Sequence, residues 1–197
     1  MVADVDIKWA RIVSDVVSPP VVWGLLALAL GARESASGEQ TMFWAWVYVL
    51  LVCIVPVLFI AVRVKQGKIT DIHMPLRKER FVPFLVTFIL AACNVGILQL
   101  AQGSRTIQFV SLVTMVQVAL MALITLVWQI SVHMIGISGA VVVVALWFGA
   151  LYGLLMSPLI VVVGMARLVL KRHTLRQVLI GALVGCVSMT VFFLVWN

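Results

Sequence analysis

The chain has 197 residues, 64% of them hydrophobic and 11% charged, with a mean hydropathy of +1.20 and a net charge of +7. These values exclude a soluble globular domain, and at roughly 20 apolar residues per bilayer crossing they leave room for six or seven spans and little else. Runs such as 42–62 carry no charge and do not alternate apolar with polar positions, which favours helices over a barrel. The expected architecture is all-α: a single integral membrane domain over 1–197, a polytopic transmembrane helix bundle of six to seven spans with an N-terminal interfacial helix.

Residues 1–17 mix Asp4, Asp6 and Asp15 with Ile7, Trp9, Ile12, Val13 and Val16, a pattern that suits an interfacial amphipathic helix rather than a cleavable leader. Ser18-Pro19-Pro20 marks a boundary, and a short span follows over 19–33. The stretch 33–40, with Glu34, Ser35, Ser37, Gly38 and Glu39, reads as a polar loop, and 42–64 as a full span interrupted by Pro56. The longest polar segment is 65–80, which holds Lys65, Lys68, Asp71, His73, Arg77, Lys78, Glu79 and Arg80. Spans over 81–101 and 107–130 flank Gln102-Gly103-Ser104-Arg105.

From Met134 to Ala166 there are 33 uncharged residues. As one helix they would be about 50 Å long, too long for a hydrocarbon core of about 30 Å. Ser157-Pro158, with Gly153 upstream, is the predicted break, giving spans over 134–156 and 158–171. A last span over 174–196 brings the count to seven, the first and sixth being short. Cys53, Cys93 and Cys186 are odd in number and lie inside apolar runs, so they predict neither a disulfide framework nor a metal site. Asn94 and Gln117 lie within spans, where single amides hydrogen-bond between helices more often than they line a transport path.

With seven spans, every basic residue except Arg33 and Arg105 falls on one membrane side, and all three histidines fall there too. By the positive-inside rule that side is cytoplasmic, and a prokaryotic plasma membrane is the expected location.

The densest chemistry lies between the last two spans, in Arg167-Leu-Val-Leu-Lys171-Arg172-His173-Thr174-Leu-Arg176-Gln177. Arg167, five residues, His173 and then Gln177 resembles the third motif of the type 2 phosphatidic acid phosphatase and haloperoxidase superfamily, Ser-Arg, five residues, His, three residues, Asp. Ser131-Val132-His133, followed by Gly136 and Gly139, resembles its second motif, Pro-Ser-Gly-His. Lys68 with Arg77, or Arg80 followed by Phe81-Val82-Pro83, approximates its first, Lys, six residues, Arg-Pro. The resemblance covers about 65–190 with the order of motifs kept. Ile130, Val132, Ala166 and Gln177 stand where the family has Pro, Gly, Ser and Asp.

The resemblance implies a membrane-embedded lipid phosphatase or pyrophosphatase working through a phosphohistidine. His173 would be the nucleophile, His133 the acid that protonates the leaving oxygen, and Gln177 the residue holding the other ring nitrogen of His173. Ser131, Arg167, Lys68, Arg77 and Arg80 would bind the phosphate. The substrate class is an isoprenoid diphosphate or a phosphatidate-like lipid, entering from the bilayer, with no cofactor, no metal and no nucleic acid involved. Gln177 lacks the charge of the family Asp, so the alternative is a catalytically inactive relative that binds lipid headgroups or a membrane partner. A haem or metal carrier using the three histidines lacks local ligand spacing, and a prenyltransferase lacks paired acidic clusters.

Overall fold

The computed structural model describes residues 2–34 and 40–196, with side chains from Ile7 onward. Ser35, Ser37, Gly38 and Glu39 of the expected polar loop lie outside the described residues, as do the side chains of Asp4 and Asp6. Among the described residues the protein is helical throughout, with no strand. Ten α-helices follow in chain order: α1 (Val2–Val16), α2 (Pro19–Glu34), α3 (Gln40–Tyr48), α4 (Val55–Lys65), α5 (Phe81–Leu100), α6 (Arg105–Val127), α7 (Val132–Phe148), α8 (Ala150–Met156), α9 (Pro158–Val169) and α10 (Leu175–Trp196).

Five helical stretches are long and apolar enough to cross a membrane: Gln40–Lys65, Arg77–Leu100, Arg105–Val127, Ala150–Val169 and Leu175–Trp196. Helices α1 and α2, bent by 44° where they meet, make a sixth if they act as one span. Helix α7 is apolar but has 17 residues, about 25 Å. Leu58, Leu123, Leu151, Leu155, Leu183 and Leu194 all point outward from these helices. Apolar exposure on that scale suits a lipid solvent rather than water.

Pro83 lies in the first turn of α5, where no intrahelical N–H is required, whereas Pro56 and Pro158 lie deeper in their spans and the chain adjusts around each. Ahead of Pro56 the chain loosens into a π-helical segment, Val49–Ile54, where the Val55 N–H reaches back five residues to the Leu50 carbonyl. At Pro158 the Leu154 carbonyl has no N–H four residues on. The Ser157 hydroxyl donates to it instead at 2.8 Å, and Ser157 stays in the right-handed helical region.

The predicted break at Ser157-Pro158 is therefore corrected. The chain turns back at Gly149, where φ is 111° and ψ 153°, a conformation open essentially to glycine alone. Gly153 then closes the hairpin against α7, since a Cβ there would stand 2.5 Å from that of Ala145. The two arms are α7 and the α8–α9 stretch, not 134–156 and 158–171.

The chain divides into two compact units. The first is discontinuous in sequence, comprising residues 1–23 and 129–197. Its core is Met134, Ile137, Val163 and Val178, with Val13, Val17, Val22, Ile160 and Leu168 packed on it. Helices α7 and α10 approach closely because Gly181 and Gly185 are one turn apart on the facing side of α10. A Cβ on Gly181 would lie 2.9 Å from the Ser131 carbonyl oxygen, and one on Gly185 2.1 Å from Ser138 Oγ.

The second unit is residues 24–128. Hydrogen bonds inside its spans tie the helices together: Asn94 Nδ2 donates to Ser111 Oγ at 2.7 Å, and the Tyr48 and Thr114 hydroxyls meet at 2.8 Å. Asn94 thus makes the interhelical bond expected of it.

Candidate functional site

The first unit collects polar side chains at the helix ends around the start of α7. Ser131 is the N-cap of α7, and its N–H donates to the Gln177 carbonyl at 3.4 Å, joining the starts of α7 and α10. Its hydroxyl is buried and makes no hydrogen bond. His133 follows in the first turn of α7, 8% exposed, with Nε2 3.0 Å from the Ser14 carbonyl of α1. A carbonyl only accepts, so Nε2 carries a proton and Nδ1 is the exchangeable nitrogen.

Arg167 lies in the last turn of α9, where a cation complements the helix dipole. It is 2% exposed, and Nη1 donates to the Ser14 hydroxyl at 3.2 Å. Helix α9 then ends in a Schellman turn: the Arg172 N–H donates to the Arg167 carbonyl, the Lys171 N–H to that of Leu168, and Lys171 takes φ 52°. This turn consumes most of the interval between Arg167 and His173.

His173 sits just before α10 and is 7% exposed. Thr174 and Gln177 form a capping box at the helix start. The Thr174 N–H donates to Gln177 Oε1 at 2.9 Å, while the Gln177 N–H donates to Thr174 Oγ1 at 3.4 Å. The backbone donor identifies the amide oxygen, so His173 Nδ1, 3.3 Å from that oxygen, must be the protonated nitrogen. The lone pair of the neutral ring is then on Nε2.

Lys68, Arg77 and Arg80 belong to the second unit. Lys68 is exposed. Arg77 donates through Nη1 to the Val127 carbonyl at 2.9 Å, at the C-terminal end of α6. Arg80 is 4% exposed and donates through Nε to the Met74 carbonyl at 2.9 Å. Both arginines thereby fasten the 66–80 segment, as does Glu79, which accepts from the Thr70 N–H and hydroxyl. His73 lies beside Asp71, with Nδ1 at 3.4 Å from its carboxylate. Among the described residues no three His, Cys, Asp or Glu side chains converge on a point where a metal could sit.

Sequence reasoning singled out His133, Arg167, His173 and Gln177, and the expected reach of Gln177 to His173 is present. It missed Ser14, which touches two of these residues, and Thr174, which sets the pose of Gln177. The Thr-x-x-Gln spacing announces Thr174. No local signal announces Ser14, whose partners lie 119 and 153 residues away.

No protein-family model, curated protein or solved structure matches this chain.

Proposed function

We propose that the protein is a membrane-embedded phosphohistidine hydrolase of lipid phosphates, a divergent relative of the type 2 phosphatidic acid phosphatases. The observation that carries this reading is the His173 ring, oriented through Nδ1–H by Gln177, which puts the lone pair of the neutral ring on Nε2. Nε2 would attack phosphorus, forming a P–N bond as the bond to the leaving oxygen breaks. His133, protonated on both nitrogens, would give its Nδ1 proton to that oxygen, and then as a neutral base take a proton from the water that cleaves the P–N bond. Arg167 would neutralise charge on the equatorial oxygens. An isoprenoid diphosphate or phosphatidate suits a site set at the ends of apolar helices. The excess of basic residues around the motifs supports a cytoplasmic site, in a prokaryotic plasma membrane.

One observation favours a second reading. The Gln177 oxygen serves two donors at once and carries no charge, so it cannot stabilise an imidazolium as a carboxylate would. An inactive relative that binds phosphate headgroups would tolerate this.

Purified protein in detergent, given phosphatidate and an isoprenyl diphosphate without added metal, should release inorganic phosphate, and His173→Ala should lose at least 99% of the rate. Equal release by variant and wild type would remove His173 from the chemistry. Headgroup binding with no release by either would favour the inactive relative.

A further inference from the structure

We propose that Ser14, on the N-terminal helix α1, is a positioning residue that clasps His133 and Arg167 into one anion site. This rests on the reading of the site as a phosphate site. Ser14 is buried on the face of α1 that also buries Ala10, and α1 packs there along α9. Two of its atoms meet two different site residues: the carbonyl oxygen accepts from His133 Nε2 at 3.0 Å, and the hydroxyl oxygen accepts from Arg167 Nη1 at 3.2 Å.

The two contacts do different work. The carbonyl holds the Nε2 proton of His133, which makes Nδ1 the nitrogen that gains and loses a proton. The hydroxyl is one of the contacts that orient the buried guanidinium, so less order is lost when an anion binds. Because a serine hydroxyl is neutral, it turns Arg167 without cancelling its charge toward an anion, as a carboxylate in the same place would. Helix α1 is therefore part of the site and not only a membrane anchor.

The test uses the full chain in detergent micelles and two readouts. Nitrogen-15 spectra of labelled histidine, with His133→Gln identifying the resonance, should show neutral His133 with its proton on Nε2. A proton on Nδ1 would overturn the carbonyl contact. Equilibrium dialysis with inorganic phosphate should show Ser14→Ala weakening binding about tenfold, the size expected for one hydrogen bond to a charged group, and Ser14→Thr restoring it to within about twofold. In an Arg167→Ala background, Ser14→Ala should cost nothing further. Unchanged binding by Ser14→Ala beside a wild type that binds would overturn the clasp while the phosphate reading stands, as would a loss that persists in the Arg167→Ala background. If the wild type binds no phosphate and His133 still carries its proton on Nε2, the phosphate reading fails and the His133 contact stands.

Discussion

Gln177 is the residue at which helix formation meets the proposed chemistry. Its side-chain oxygen closes the capping box of α10 and also accepts a hydrogen bond from His173 Nδ1–H. Glutamate fits the same box, reaches as far, and adds a negative charge that a helix N-terminus favours. Gln177→Glu should therefore keep the melting temperature within about 2 °C, since a gain or loss of a few tenths of a kcal/mol moves it little. It should also raise phosphate release at least tenfold, and the same assay with phosphatidate checks this. A faster Gln177→Ala would contradict the role given to the oxygen. The reach of Gln177 to His173 was legible from their four-residue spacing, although His173 precedes α10 and the capping box, not a helical turn, brings the two together. Ser14 was not: it is the one hydroxyl side chain in residues 1–17, yet nothing in that amphipathic stretch says it will meet a guanidinium far along the chain.

At the scale of elements, glycines decide the packing of the first unit. Gly185 lets α10 press against α7, and Gly185→Ala would drive a methyl group to 2.1 Å from Ser138 Oγ and 2.5 Å from the Ile135 carbonyl oxygen. Backbone cannot swing aside as a side-chain tip can. The substitution should destabilise the protein by about 1–3 kcal/mol, read as a lower unfolding midpoint in detergent and faster amide exchange over 132–148 and 175–196. Gly96→Ala is the control: nothing lies within 4 Å of its added Cβ, and it should leave stability unchanged or raise it. An equal loss in both would remove close packing as the reason for the glycine at 185.

The long helices were legible because long apolar runs are set off by charged segments. The runs expected over 81–101 and 174–196 became Phe81–Leu100 and Leu175–Trp196. The hairpin at Gly149 was not legible, since a glycine inside an apolar run looks like Gly153 or Gly164 whatever its φ. Proline is a louder signal than glycine, yet Ser157 supplies the donor that Pro158 lacks, and the louder signal misplaced the turn.

For the molecule as a whole, an apolar exterior sorts two of its free cysteines, Cys93 and Cys53, by solvent rather than by depth alone. Cys93 is exposed but lies well inside the α5 span, and Cys53 is buried in the span that holds the π-helical segment. In intact vesicles a charged maleimide should leave both unlabelled over the time that labels denatured protein fully. A small lipid-soluble maleimide should reach Cys93 and not Cys53. Rapid labelling of Cys93 by the charged reagent would mean that α5 is not surrounded by lipid.

The discontinuity of the first unit also has a consequence in time. Ser14 and Arg167 are 153 residues apart, and at about 5–20 residues per second a ribosome needs roughly 8–30 s to connect them. Throughout that interval Ser14 has been made and the Arg167 guanidinium has not. The Ser14–Arg167 contact is thus among the last the nascent chain can complete, and a chain stalled before α9 would hold α1 to α8 with that contact, and any site proposed on it, unassembled.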